Sequence, residues 1–193
     1  MTCPNPLDAV TLADYWLGQL PQPEEDAVDE HLFSCDACGD RLREVIALAE
    51  GLRSLAREGS LRMIVSDAFL QRATAEGLRV RQYTPAAGGS VQCTVTAEDD
   101  LLIGNLPVDL HGAARVDLSI CDSLGREQFR LPDIPVNPAA NHVALQESIT
   151  MAKAAPSNTL IMRLVAVEHD GAEMPLGEYT FHHTRSLPDP GGI

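Results

Sequence analysis

The sequence predicts a multidomain α plus β molecule: a small module of three to four helices over residues 1–79, then an all-β antiparallel sandwich over residues 80–187. Two observations carry this expectation. Apolar residues recur at helical spacing as far as about Glu76, and after Arg79 short alternating or β-branched segments take over, separated by turn residues. The change falls in a glycine- and proline-punctuated stretch near residues 77–90.

The first helix is read from Leu7, Val10, Leu12, Tyr15, Trp16 and Leu20, and Gly18 with Pro21 should end it. Pro23-Glu24-Glu25-Asp26 opens the second, because proline fits a first turn and acidic side chains suit the positive end of a helix. This helix should reach about His31–Ser34. A third carries Leu42, Val45, Ile46, Leu48, Ala49, Leu52 and Leu55 as its apolar stripe, and Gly59-Ser60 breaks it. A fourth, about Ser66–Glu76, presents Phe69 and Leu70, with Gly77 as a C-terminal cap. Strands are expected at Val80–Tyr83, Ser90–Thr96, Leu101–Asn105, Ala114–Cys121, Gln128–Leu131, Val143–Thr150, Leu160–Glu168 and Tyr179–His183. The tail, residues 188–193, should be flexible.

Composition excludes several functions. The net charge is −14, and each half, divided at Arg79, holds seven basic against fourteen acidic residues. Phosphate backbones demand concentrated Lys and Arg, so direct nucleic-acid binding is not expected, whereas basic protein partners are. No apolar run approaches the roughly eighteen residues of a membrane span. Met1-Thr2-Cys3-Pro4-Asn5 lacks the basic and apolar regions of a signal peptide, so a cytoplasmic location is expected. There thiols stay reduced, and five cysteines point to metal ligation or buried thiols rather than disulfides.

The string His31-Leu32-Phe33-Ser34-Cys35-Asp36-Ala37-Cys38 has the spacing His-x3-Cys-x2-Cys. A Cys-x2-Cys pair at a helix start can place both sulfurs on one metal, where free N–H groups and the helix dipole favour thiolates. His31 lies one turn back, at the end of the preceding helix. Structural zinc takes four N or S ligands in a tetrahedron, which makes Zn2+ the expected cofactor. Cys3 is the natural fourth ligand if the first helix folds back antiparallel to the second. Asp8 is an oxygen alternative, and Cys93 or Cys121 would require an interdomain site. A closed four-ligand site leaves no position for substrate, so the chain is not expected to be an enzyme.

These residues resemble the zinc-binding anti-sigma factor family. The resemblance lies in a ligand near the N-terminus, a first helix Leu12-Ala13-Asp14-Tyr15-Trp16-Leu17-Gly18-Gln19-Leu20, a Pro-Glu-Glu segment, the His31 to Cys38 string and a leucine-rich helix after it. It covers about residues 3–55. It implies a helical domain that wraps between the two main domains of an extracytoplasmic-function-type sigma factor and blocks core polymerase binding. Tyr15, Trp16 and Leu20, with Phe69 and Leu70 from the fourth helix, are the contacts so implied; the same residues also suit the module's own core. A zinc-stabilised interaction adaptor with no sigma partner is the alternative.

Residues 80–193 show no recognised family, phosphate loop or nucleophile–base pair, and a sensory or interaction role is expected for them. His142 with Glu147 faintly suggests a cupin-like metal motif. His182 and His183, neighbours on a strand, must face opposite ways, and both are read as surface histidines. Cys93 and Cys121 are read as buried apolar thiols.

Overall fold

A computed structural model describes residues 3–137 and 140–186, so the expected flexible tail lies outside the described residues. The chain divides into two compact units, Met1–Ala56 and Arg57–Ile193.

In the first unit Asp8 accepts the Thr11 amide at 2.8 Å and starts helix α1, Ala9–Trp16. Gly18, at φ +66°, turns the chain after it. Helix α2, Gln22–Ser34, has Pro23 at its start and Glu24 and Glu25 in its first turn. Helix α3, Asp36–Arg57, follows after Cys35 alone. Tyr15 donates to Asp29 on α2 at 2.5 Å, and the Arg53 guanidinium of α3 sits 4.3 Å from the centre of the Trp16 ring. Apolar burial is sparse. Among the described residues of this unit, the buried apolar side chains are Leu12, Val28, Cys38 and Ala56.

The second unit contains two sheets. One runs in the order β1 (Met63–Val65), β7 (His142–Glu147), β4 (Leu101–Pro107), β2 (Val80–Tyr83). The other runs β3 (Ser90–Cys93), β9 (Glu173–His183), β8 (Asn158–Val167), β5 (Val116–Cys121), β6 (Glu127–Leu131). Leu106, Val143 and Leu145 of the first sheet share one core with Leu118, Leu164, Tyr179 and Phe181 of the second. All six residues of β5 are buried. Its outer-facing Asp117 is covered by Arg115 at 3.0 Å and Arg130 at 3.3 Å. Burial alone would raise the Asp117 carboxyl, but these cations and the Asp133 amide hold it below its usual value.

Four features depart from the sequence reading. The sheets are mixed rather than wholly antiparallel, because β2 pairs with β4, and β3 with β9, in parallel. The units separate between Ala56 and Arg57 rather than at 79 and 80. Helix α4, Asp67–Ala75, belongs with the β-rich unit: Leu70 is buried against Val65, Ile103 and Ala144, and Phe69 packs beside it. Finally, the strand expected over Val143–Thr150 ends at Glu147. Ser148 then accepts the Met151 amide at 3.3 Å and starts a short helix, α5, Ile149–Ala154.

Gly59 fixes the chain as it enters this unit. It sits at φ +65°, and its carbonyl accepts the Ile149 amide at 2.8 Å. A β-carbon there would overlap the Asp100 carbonyl oxygen and lie 2.7 Å from Ile149 Cγ2. Left-handed strain and overpacking then add, so Gly59→Ala is expected to lower unfolding stability by roughly 3 kcal/mol. Urea denaturation measures it, and an unchanged midpoint would contradict the close approach.

Candidate metal centre

The centre is assembled by local chain geometry. His31 lies in the last turn of α2, Cys35 is the residue between the two helices, and Cys38 lies in the first turn of α3. The Cys38 and Gly39 amides both donate to the Cys35 carbonyl, each at 3.1 Å, as α3 starts. This turn folds the two sulfurs and the imidazole toward one point. Cys3, before α1, supplies the fourth group. The ligand atoms of Cys3, His31, Cys35 and Cys38 all lie within 4.8 Å of one another, and no other such cluster occurs among the described residues.

The spacing fits one tetrahedral ion. Zn–S bonds near 2.3 Å and Zn–N bonds near 2.0 Å place neighbouring ligand atoms about 3.5–3.8 Å apart. His31 Nε2 lies 3.2 Å from Cys38 Sγ and 3.5 Å from Cys3 Sγ. One imidazole nitrogen shared by two sulfurs is what a common metal requires, since one nitrogen cannot donate a single proton well to both. Burial grades across the site: Cys38 is fully buried, and the other three are half-buried. The Cys38 backbone N–H is the main reason the Cys35 thiol is held below its ordinary value, whereas desolvation chiefly pushes Cys3 up. One member of the set is thus predisposed to the thiolate form that ligation needs.

The other candidates lie elsewhere. Asp8 is engaged in capping α1. Cys93 and Cys121 stand on β3 and β5 of the second unit, Cys121 fully buried and Cys93 raised by burial. His142 meets Asp67 at 3.2 Å, while Glu147, at the other end of β7, pairs with Arg62 at 2.8 Å, so the structure does not bring His142 and Glu147 together. His182 stays at the margin, bonded to Thr159 at 3.1 Å. His183 is half-buried like His182, but its Nε2 is enclosed and the residue lines a cavity, which its neighbourhood on the strand did not reveal.

Residues 11–39 match the family model described as "Putative zinc-finger". This is a domain typical of anti-sigma factors, and that family is regulatory rather than enzymatic. The match spans His31, Cys35 and Cys38, and Cys3 stands just ahead of it. With this cluster the zinc-finger module has a donor set suited to a zinc ion. No curated protein matches the chain. Among solved structures, the N-terminal domain of ORF48 from phage TP901-1 is 12% identical, with a TM-score of 0.37, over 57% of this chain and all of that one. CopC from Methylosinus trichosporium OB3b is 13% identical, with a TM-score of 0.27, over 66% of this chain and 98% of that one. Neither likeness is close enough to carry a functional argument.

The partner contacts expected from the sequence are placed unequally. Tyr15, Trp16 and Leu20 are half-buried in the zinc-finger module. Leu70 packs in a core cluster of the β-rich unit and, 8% exposed, has almost no surface to offer, while Phe69 is half-buried against that cluster. A residue the sequence reading passed over is more prominent. Phe33, between His31 and Cys35, is 97% exposed. A phenylalanine two residues before a ligand cysteine was the available signal. No helix of the described residues is long and apolar enough to cross a membrane.

Proposed function

We propose that this chain is a zinc-containing anti-sigma factor. In this reading the zinc-finger module sequesters an extracytoplasmic-function-type sigma factor in the cytoplasm, and the β-rich unit receives a signal or a second partner. The observation that carries the reading is the closed His31–Cys35–Cys38–Cys3 cluster at the junction of α2 and α3, within the matched zinc-finger region. Four protein ligands make the ion a structural tie rather than a reaction centre.

The surface of the module supports a protein partner. Val10 on α1 and Leu17 at its C-cap stand seven residues apart, and Leu48, Leu52 and Leu55 recur at helical spacing on α3; all five are exposed, as is Phe33. Exposed apolar side chains repeated along helices suit docking more than solvent. Residues 1–56 hold three basic against eleven acidic residues, which favours a basic partner such as a DNA-binding factor. Tyr15, Trp16 and Leu20 remain candidate contacts beside these faces, as does the half-buried Phe69 of the β-rich unit, whereas Leu70 has little surface to offer.

Co-expression with each small sigma factor of the same genome tests the proposal. One of them is expected to co-purify in a stoichiometric complex and to lose transcription activity in vitro when the chain is added. Failure to bind any of them removes the anti-sigma assignment. A stable complex with some other protein instead would make the chain a zinc-stabilised adaptor.

A further inference from the structure

The β-rich unit contains a partly open cavity of about 220 Å³ between elements of both sheets and α5. Ile103, Leu160, Met162 and Phe181 give it apolar walls. Arg62, Asn158, Glu147 and His183 interrupt them with polar groups. Glu147 accepts from Arg62 through Oε2, at 2.9 Å to Nε and 2.8 Å to Nη2, while its Oε1 is buried without a hydrogen-bond partner. His183 Nε2 is likewise buried and unpartnered. Burial pushes the His183 imidazole below its ordinary value, toward the neutral form, against a bond to the Ala152 carbonyl that favours protonation. With Nε2 unpartnered, that bond falls to Nδ1–H, and Nε2 is left as a bare acceptor.

Buried polar atoms without partners are rare in folded proteins, because each costs a lost hydrogen bond without the compensation of water. Here two of them belong to residues lining the same cavity, and both accept. The Arg62 guanidinium already gives two hydrogen bonds to Glu147 Oε2, so what the wall lacks is a donor for Glu147 Oε1 and His183 Nε2. An ammonium group carries three donors and a charge complementary to a carboxylate oxygen. The apolar walls would take a short hydrocarbon body. We propose that this cavity is a binding site for a small alkylammonium ligand, with Glu147 and His183 receiving the head group. The site goes beyond the anti-sigma reading and does not depend on it, since binding can be measured without any partner protein.

Calorimetric titration of the full zinc-loaded chain with n-hexylammonium, n-hexanol and hexanoate tests the proposal. Hexylammonium is expected to bind at least tenfold more tightly than hexanol, and hexanoate not to bind. Glu147→Gln should weaken the amine at least tenfold while leaving hexanol little changed. Because this change leaves Arg62 without its carboxylate, a second variant is needed. Ala155→Leu fills the cavity from the C-terminal end of α5 and leaves both acceptor residues in the chain, and it should abolish binding with the thermal transition preserved. No binding of hexylammonium, equal affinities for amine and alcohol, or an Ala155→Leu variant that binds as tightly as the parent would each overturn the proposal.

Discussion

Replacing Cys38 with serine is expected to abolish stoichiometric zinc and melt the zinc-finger module, while the β-rich unit stays folded. The reason is the module's thin core. Among the described residues, 3–56 must be ordered around four buried apolar side chains, Leu12, Val28, Cys38 and Ala56. Full burial of a Leu or Val contributes about 1.5–3 kcal/mol, far below the ordering entropy of so many residues. Structural zinc contributes about 10–16 kcal/mol in small fingers, and in such modules binding and folding are one event. Cys38 is the fully buried ligand and lies 3.2 Å from His31 Nε2, so serine there removes a thiolate where no water can replace it. A chelator should act in the same way on the unaltered chain. Atomic absorption reads the metal, and circular dichroism reads the helices. The β-rich unit, whose core draws on both sheets, should keep its own cooperative transition. Helicity that survives both treatments would mean the four residues cluster for another reason.

Acid should release the ion in the same direction. Thiolates must be deprotonated to ligate, so each proton gained as pH falls competes with zinc.

What the sequence disclosed follows the range of the interactions involved. His31, Cys35 and Cys38 lie within eight residues, and helix geometry alone brings them together. Cys3 required only that α1 fold back. The helix ends were legible because proline at the start of α2 and glycines at 18, 59 and 77 act through their own backbone. The direction of β2 against β4 was not, since it depends on the chain crossing through β3 in the other sheet before returning. Strand β1, three residues between Ser60 and Ser66, is too short to show a period. The unit boundary was misplaced because the change in texture at Arg79 marks where helices stop, whereas the core of the second unit already includes Leu70 of α4. The cavity was invisible for a related reason. Glu147 and His183 come from strands in different sheets, and only the packing of those sheets sets them around one space.

The double substitution Leu48→Glu, Leu52→Glu is expected to lower affinity for the proposed sigma partner by roughly a thousandfold while leaving zinc and fold intact. Leu48 is 66% exposed and Leu52 is 50% exposed, one turn apart on α3, so neither contributes much to the module's own core. Glutamate is a good helix former, and the helix should persist. Central apolar side chains in an interface cost about 2 kcal/mol or more each when lost, and two of them correspond to roughly three decades in affinity. Charge works in the opposite sense. A more acidic module would steer a basic partner more strongly, so any loss reflects apolar contact rather than electrostatics. Phe33→Ala offers a second test on α2, because its ring is almost wholly in solvent and its removal should not disturb the neighbouring ligands. Affinities measured by titration of the purified complex decide the matter. Parent-like binding by the double variant would move the docking face away from α3, toward Val10 of α1 and Leu17 at its C-cap.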